Sequence, residues 1–202
     1  MELAVDCTIV VASYGDRSWL DLGTQRAARS AFAQDVPVIY VHGLTLHGAR
    51  NAGLEQVQSP YVVFLDADDE LRPDYIRTLA AGSADIRVPA VQYVTPGGRP
   101  RRPYVPRVAG HRHDCEAACL EDGNFAVIGS MADADMVRAV GGFRDEEIYE
   151  DWSLFLRMYR AGATVETKPE AVYFAHVRPQ SRNRALPMET KNRVHREIAE
   201  AA

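Results

Sequence analysis

Short apolar runs alternate with amphipathic segments along the first half of the chain. Continuous apolar runs rich in β-branched residues predict strands at 7–12, 36–41 and 61–65. Between them, apolar residues recur at three- and four-residue steps, which predicts helices at 18–33 and 49–57. This alternation predicts a parallel sheet with helices on both faces, in which the carboxyl ends of the strands share one rim.

The second half of the chain has a less regular pattern. We expect a helix at 73–81, further strands at 86–94, and then an irregular segment rich in Gly, Pro and Arg. The later elements are expected as a strand at 125–129, a helix at 133–140, an amphipathic helix at 149–161 and a last strand at 171–175. The length predicts a single domain over 1–202, and the residues after the last predicted strand are expected to form a C-terminal tail at 181–202.

Composition narrows the class of protein. With 47% apolar and 25% charged residues, the chain resembles an ordinary globular protein. Acidic residues occupy the N-terminus where a signal peptide carries basic ones, and no apolar run approaches the roughly 18 residues of a membrane span, so we expect a cytoplasmic protein. Three cysteines predict no disulfide framework, and a net charge of −5 argues against general nucleic-acid binding.

Three carboxylates, Asp66, Asp68 and Asp69, follow the third predicted strand. A bound cation relieves the repulsion among them, and hard divalent ions such as Mg²⁺ and Mn²⁺ prefer carboxylate oxygen. The alternative is a solvated turn that opens a helix, with Asp69 as its N-cap and Pro73 early in the next element. The acids alone do not decide between these two interpretations.

A second acidic cluster, at 145–151, precedes the amphipathic helix. Favourable interaction with the helix dipole explains Glu146 and Glu147. It explains Asp151 less well, because Asp151 directly precedes Trp152, which has the character of a core residue. The position of Asp151 therefore favours a functional role.

The ordered set of motifs resembles the family 2 inverting glycosyltransferases, which have the GT-A fold. The matching segments are 8–14, 48–54, 61–69, 141–143 and 149–154, followed by His176. The resemblance implies a Rossmann-like α/β/α sandwich with a mostly parallel central sheet. In that fold, residues 1–95 bind the nucleotide sugar and residues 96–180 form the acceptor and catalytic half.

The resemblance also assigns roles to the acids. Asp66-Ala67-Asp68 is similar to the DxD motif, in which Asp66 faces the ribose and sugar of the donor and Asp68 holds Mn²⁺ or Mg²⁺ against the diphosphate. Asp151 matches the general base that takes the proton of the acceptor hydroxyl, and Glu150 shapes the acceptor side. His176 matches a position that joins the metal or diphosphate in some members; the alternative is a solvated histidine at a strand end.

Other donor-binding residues are expected on the same rim. The resemblance places Tyr14 and Asp16 near the nucleobase, and Arg50 opens a helix where it pairs either with phosphate or with an acid. The complete donor-binding set that the resemblance implies is Ser13, Tyr14, Asp16, His42, Arg50, Asn51 and Asp66.

The chain departs from the family where the nucleobase is recognised. Family members carry an acidic turn after the second strand, whereas residues 42–48 of this chain contain no acid. Ala12-Ser13-Tyr14 also stands where Pro-Thr-Tyr is usual. The sequence therefore does not predict UDP in particular, and His42 or a backbone group is the alternative reader of the base.

The basic segment 99–112 lies where the family varies most and builds the acceptor side. Arg99, Arg101, Arg102 and Trp152 are assigned to that side. The segment is either a solvated loop or a binding site for an anionic acceptor such as a lipid phosphate or a nucleic acid.

These features predict a metal-dependent inverting glycosyltransferase that moves a sugar from a nucleotide-diphosphate sugar to an acceptor hydroxyl of a glycan, lipid, protein or nucleic acid. A dehalogenase-type phosphatase fits poorly, because its aspartate motif lies on the first strand and requires a later lysine. A nucleotidyltransferase requires a Gly-rich basic loop after the first strand, which 13–17 does not supply. The remaining alternative is a catalytically degenerate GT-A domain that only binds a nucleotide sugar or an acceptor.

Overall fold

The computed structural model describes residues 5–97, 102–106, 120–121, 123–178 and 186–202. A seven-stranded sheet runs through the described chain. Its strands are β1 Cys7–Tyr14, β2 Val38–Gly43, β3 Tyr61–Asp66, β4 Glu70–Leu71, β5 Ile86–Val94, β6 Met131–Asp133 and β7 Val165–His176. The helices are α1 Arg17–Gln25, α2 Ala27–Phe32, α3 Leu46–Leu54, α4 Tyr75–Ala80, α5 Ala134–Ala139, α6 Glu150–Arg160 and α7 Met188–Ala201.

The sheet has the strand order β2-β1-β3-β6-β5-β7-β4 and is mostly parallel. β1 pairs in parallel with β2 and β3, and β5 pairs in parallel with β7. Because β3 and β5 both run antiparallel to β6, these two parallel groups point the same way. The prediction of a Rossmann-like α/β/α fold is confirmed, and the carboxyl ends of β1, β2, β3, β5 and β7 lie at one edge.

The central strands are buried on both faces. Residues 9–11 of β1 and 62–65 of β3 are all at most 1% exposed. Strands that are covered on both sides need apolar residues at every position, which is why their sequences read as continuous runs. The ring of Phe64 on β3 packs edge-on against Phe143, with centroids 4.7 Å apart, and so joins the first half of the chain to the second.

Two predicted elements differ in the structure. The single helix expected over 18–33 is divided into α1 and α2 at Arg26, whose φ and ψ of −113° and −75° interrupt the helix. The strand expected at 125–129 is wrong, because the sixth strand is β6, which pairs with β3 and β5. Residues 125–129 form a loop in which Ala126 and Ile128 are buried, so their apolar character reflects burial and not a strand.

The segment expected to be a C-terminal tail contains helix α7. Val194 and Ile198, one helical turn apart, are both 2% exposed, and the imidazole of His195 stacks on Trp152 with centroids 4.2 Å apart. This narrow apolar stripe lies within a strongly polar sequence, which explains why the hydrophobic pattern did not predict the helix. α7 has 14 residues, and no helix in the described residues is both long and apolar enough to cross a membrane.

The docking of α7 can be tested by truncating its buried contact. We expect Ile198→Ala to lower the free energy of unfolding by about 2–5 kcal/mol, because it leaves a cavity beneath the helix. Arg196→Ala, on the exposed side of the same helix, is the control and should change stability by less than about 0.5 kcal/mol. Urea unfolding of the two variants measures both values, and equal stabilities would show that α7 does not pack as described.

Candidate active site

Three strands bring their carboxyl ends together at one rim. Ser13 at the end of β1 lies opposite His42 of β2, and Ala12 lies opposite Asp66 of β3. The prediction that these three strand ends share a rim is confirmed. The rim carries the first acidic cluster, at the end of β3, and α3 begins three residues after β2 ends.

Arg50 of α3 occupies the centre of the site and is 1% exposed. One terminal nitrogen, Nη2, donates to Asp66 Oδ1 at 2.6 Å, and the other, Nη1, donates to Glu150 Oε1 at 3.0 Å. The guanidinium also lies over the ring of Phe143 at 5.0 Å. Of the two roles expected for Arg50, the structure shows the ion pair, and it spans residues 100 positions apart in the sequence.

The charge on Arg50 is fixed by its two acidic partners. Burial opposes the charge, but Asp66 and Glu150 outweigh burial and raise the pKa of Arg50 above its ordinary value. Its Nε atom is buried without a hydrogen-bond partner in the structure. The guanidinium is therefore oriented by its two terminal nitrogens, which hold the carboxylates of Asp66 on β3 and Glu150 on α6 at a defined separation.

Asn51, the next residue of α3, binds the backbone of the loop that leads to α6. Its Nδ2 donates to the carbonyl oxygen of Phe143 at 2.8 Å, and its Oδ1 accepts from the Phe143 amide at 2.8 Å. Gly142 precedes this clamp with φ of +64°, and a Cβ there would lie 2.5 Å from Asn51 Oδ1. Asn51 was expected to bind the donor; in this structure both polar atoms of its side chain hold the loop that leads to α6.

The second acidic cluster is positioned at the N-terminus of α6. Tyr149, immediately before the helix, has the left-handed φ of +64° that non-glycine residues rarely adopt. This conformation introduces Glu150 and Asp151 in the first helical turn, where the helix dipole favours negative charge. The Trp152 amide donates to Asp151 Oδ1 at 2.8 Å, and Asn124 Nδ2 donates to the same oxygen at 3.3 Å.

The environment of Asp151 raises the pKa of its carboxyl to about 7. Burial is the largest cause, and the charge of Glu150 adds to it, while Arg50 and the Trp152 amide act in the opposite direction. Near neutral pH a carboxyl with this pKa can accept a proton readily. The arrangement thus makes Asp151 suited to act as a general base.

The three acids after β3 have different surroundings. Asp68 lies beside Arg178, with Nε and Oδ2 3.2 Å apart, and its pKa is raised by burial and by Asp66 while Arg178 lowers it. Asp66 pairs with Arg50 as described above. The cluster is therefore not one solvated acidic turn.

The expectation that Asp69 is a helix N-cap is wrong. Asp69 is 9% exposed and accepts hydrogen bonds from the Tyr173 hydroxyl at 2.7 Å and the His176 amide at 2.8 Å. Burial, followed by the charges of Asp68 and Asp66, raises its pKa well above the ordinary value. Asp69 instead ties the end of β3 to β7, and α4 begins later, with Asp74 at its N-cap position.

His176 ends β7 and contacts an acid. Its Nε2 lies 2.6 Å from Glu70 Oε2, and its side chain is 18% exposed, so it is not the solvated histidine of the alternative interpretation. In the described part of the chain, no three His, Cys, Asp or Glu side chains are grouped closely enough to hold a metal ion by themselves. The role of His176 at a metal remains a prediction.

A cleft opens between the end of β1 and the start of α6. It is lined by Tyr14, by residues 44–47 between β2 and α3, and by the charged residues Arg144, Asp145, Glu146 and Glu150. Tyr14, which the resemblance assigns to the nucleobase, is therefore one wall of this cleft. The cleft continues along the rim towards the ion pair of Arg50, since Glu150 belongs to both.

Three other predicted donor-binding residues have structural partners. His42 Nε2 lies 3.2 Å from the Gly15 carbonyl oxygen and Nδ1 lies 2.9 Å from Ser13 Oγ. Because a carbonyl oxygen only accepts, His42 donates to it through Nε2. Asp16 caps α1 by accepting from the Ser18 amide at 2.8 Å. Any contact of these side chains with a base would compete with these bonds.

The acceptor-side predictions have mixed outcomes. Trp152 is fully buried and donates its indole N–H to the Leu120 carbonyl oxygen at 2.7 Å, so its ring has no surface with which to contact an acceptor in this structure. Arg102 is exposed and lies two residues before Tyr104, which forms a short bridge with Val91 of β5. Arg99 and Arg101 lie outside the described residues.

Several site residues were not predicted from the sequence. Asn124 contacts Asp151, Glu70 contacts His176, and Arg178 contacts Asp68. Arg26 Nη1 donates to the carbonyl oxygen of Asp68 at 2.9 Å. A search for charged residues just after each strand end would have found Arg178, two residues beyond β7, but Glu70, Asn124 and Arg26 do not lie in such positions.

Comparison with known proteins gives a consistent family and fold. Residues 18–113 match the model for glycosyl transferase family 2. The crystal structure of S. aureus TarS 1–349 in complex with UDP-GlcNAc superposes with a TM-score of 0.68 at 15% identity, covering 96% of this chain and 65% of that chain. The crystal structure of S. aureus TarS superposes with a TM-score of 0.64 at 16% identity, covering 96% of this chain and 39% of that chain. No curated protein sequence matches the chain.

The sheet topology, the acidic strand end and the structural likeness define a GT-A domain. At 15–16% identity the TarS structures establish the fold alone, and this chain spans less than two thirds of the length of the first of them. The match to the model for glycosyl transferase family 2 covers residues 18–113, just under half of the chain.

The central ion pair can be tested by removing its charge. Arg50→Met keeps most of the side-chain volume but leaves Asp66 and Glu150 without their shared cation. We expect the free energy of unfolding to fall by about 3–5 kcal/mol, as is usual when one partner of a buried pair is removed. Urea unfolding measures this loss. Arg193→Met removes two exposed ion pairs, with Glu147 and Glu197, in which 48% of the arginine side chain is exposed, and should cost far less stability than Arg50→Met. Similar losses in both variants would contradict a central role for Arg50.

Proposed function

We propose that this chain is a metal-dependent inverting glycosyltransferase that moves a sugar from a nucleotide-diphosphate sugar to an acceptor hydroxyl. The observation that carries this proposal is the placement of Asp151, whose pKa is raised to about 7, next to Glu150, which shares Arg50 with the DxD residue Asp66. Arg50 contacts both Asp66 and Glu150, so the proposed base and the proposed donor site are held together by one side chain.

Asp151 supplies the proton acceptor in the proposed reaction. The acceptor hydroxyl attacks the anomeric carbon while Asp151 takes its proton, and the bond from that carbon to the diphosphate breaks with its electron pair leaving on the diphosphate. Attack from the face opposite the leaving group inverts the anomeric configuration. A positioned base of this type contributes about 10²–10⁴-fold to the rate.

Asp68 is the proposed contact for a divalent metal. Its carboxylate oxygens suit Mn²⁺ or Mg²⁺, and Mg²⁺ is commonly held by one or two carboxylates together with substrate phosphates. A cage of three protein ligands is therefore not required, and the partly buried Asp68 fits this mode of binding. When bound, the metal neutralises charge on the leaving diphosphate, with His176 as the second proposed ligand.

The donor is proposed to lie in the cleft beside Tyr14. The TarS neighbour binds UDP-GlcNAc, which supports a nucleotide sugar as the donor class. Asp66 would face the ribose and sugar, and the base would lie against Tyr14 and the neutral turn after β2. Because Ser13, His42 and Asp16 already have partners, the backbone of this turn is the proposed reader of the base.

Donor binding is the first test of the proposed function. A screen of UDP-, GDP- and other nucleotide sugars with Mn²⁺ should identify a donor that raises the melting temperature. At one hundred times its dissociation constant a ligand stabilises by about 2.7 kcal/mol, which corresponds to about 5–10 °C for a chain of this size. Asp68→Asn is expected to reduce the shift. If no nucleotide sugar shifts the melting temperature of the folded protein, the proposal fails at this step.

The pH dependence of transfer tests the role of Asp151. Because the base must be deprotonated, kcat/KM should fall about tenfold for each pH unit below about 7, following the raised pKa of Asp151. Asp151→Asn should abolish transfer and leave donor binding intact, whereas Asp135→Asn, an exposed acid on α5, should leave both unchanged. Initial rates of nucleoside-diphosphate release measure the profile.

Two outcomes would revise the assignment. Loss of donor binding in Asp151→Asn would place Asp151 in the donor site and not at the acceptor. Donor binding by the wild type without turnover, across a broad acceptor panel, would favour a domain that only binds nucleotide sugars.

A further inference from the structure

Arg178 lies two residues beyond the end of β7 and contacts two other segments of the rim. Its guanidinium is centred 4.6 Å from the centroid of the Trp19 indole in α1. Its Nε lies 3.2 Å from Oδ2 of Asp68, just beyond β3. The side chain is 37% exposed, so it is accessible while it is held in this position.

The partner of Arg178 is the carboxylate assigned above to the diphosphate end of the donor site. A single contact through Nε engages one of the five N–H groups of the guanidinium. Such a contact at a partly exposed site is weak, whereas a guanidinium binds phosphate oxygens through two parallel hydrogen bonds. A nucleoside diphosphate held near Asp68 would therefore offer Arg178 a stronger partner than it has now.

Arg26 adds to the positive potential at the same point. Its Nη1 donates to the backbone oxygen of Asp68, and its charge, with that of Arg178, opposes the rise in the pKa of Asp68. Of the two, Arg178 makes the side-chain contact and is the one that can exchange it.

We propose that Arg178 is a diphosphate-binding residue that rests on Asp68 and Trp19 in the donor-free protein and transfers to the diphosphate when the donor binds. This inference rests on the proposed function. A divalent cation at Asp68 would compete with Arg178 for the same carboxylate, so that loading of the site and release of Arg178 are coupled. Arg178 then pairs with negative charge that increases as the diphosphate leaves.

Trp19 gives a direct signal of this exchange. The chain has two tryptophans, and the other, Trp152, is fully buried and stacked on His195. Departure of the guanidinium from the indole face should change the emission of Trp19 and leave that of Trp152 unchanged. The signal does not depend on turnover.

The test combines binding and fluorescence, with Mg²⁺ and the probes UDP, GDP and inorganic pyrophosphate. For the probe that wild type binds best, calorimetry should give a dissociation constant at least about tenfold larger in Arg178→Ala, because charged hydrogen bonds are lost. The dissociation constant of Arg178→Lys should lie between those of wild type and Arg178→Ala, since lysine keeps the charge without the planar fork. Arg72→Ala is the matched control: its Nε lies 3.1 Å from Asp74 in a similar exposed pair, and its binding should stay within twofold of wild type.

The fluorescence arm tests the resting position. Ligand should change the emission of wild type but not of Trp19→Phe, and Arg178→Ala without ligand should resemble the liganded wild type. Melting temperatures of the variants confirm that each is folded.

The outcomes separate the inference from the proposed function. If wild type binds a probe and Arg178→Ala binds it equally well, the inference is overturned while the proposed function stands. A ligand-induced change that persists in Trp19→Phe would also overturn the resting position. If wild type binds neither nucleoside diphosphate, the proposed function fails and the inference fails with it.

Discussion

The buried guanidinium of Arg50 is the interaction on which the site depends. It joins Asp66, at the end of the central strand β3, to Glu150, in the first turn of α6. A fully buried cation with two carboxylate partners has a strong preference for one geometry, because displacement of either acid leaves charge without compensation in a region of low dielectric. The clamp between Asn51 and Phe143 acts on the neighbouring turn of chain, so consecutive residues of α3 fix both the charge and the backbone of the junction.

This interaction also explains how neighbouring carboxylates acquire different properties. Asp66 and Glu150 each accept from Arg50. Asp151 lies close to the same guanidinium but does not accept from it, and burial then dominates and raises its pKa to about 7. Asp69 is satisfied by a tyrosine hydroxyl and a backbone amide. Aspartate thus appears here as an ion-paired carboxylate, as a carboxyl with a raised pKa and as a structural tie, and the neighbouring groups decide which.

The sequence predicts those features that depend on local patterns. The buried strands β1 and β3, the shared rim and the two acidic clusters follow from apolar runs and from residues at their ends. Asp69, Asn124 and Arg178 could not be assigned in this way, because each is defined by a partner distant in sequence: the bond from Tyr173 to Asp69 spans 104 positions. Helix α7 was missed for a related reason. The burial of Val194 and Ile198 can be recognised only when the surface formed by α6 is known. The identity of the acids was therefore predictable, but the division of roles among them was not.

The turn after β2 contains no acid, and this limits what it could offer a nucleobase under the proposed function. Each polar side chain near it serves local structure: His42 bonds Gly15 and Ser13, Thr45 caps α3, and His47 contacts Asp145 at 3.1 Å. Without an acid, the turn offers a nucleobase neutral hydrogen bonds, which are about half as strong as those with an ionised partner. Charged side chains reach the cleft from elsewhere, at Arg144, Asp145, Glu146 and Glu150, and at the proposed diphosphate end Asp68 lies beside Arg178 and Arg26. Under the proposed function, discrimination among bases would therefore depend on the shape of the cleft beside Tyr14 and on its charged lining, and not on the turn after β2.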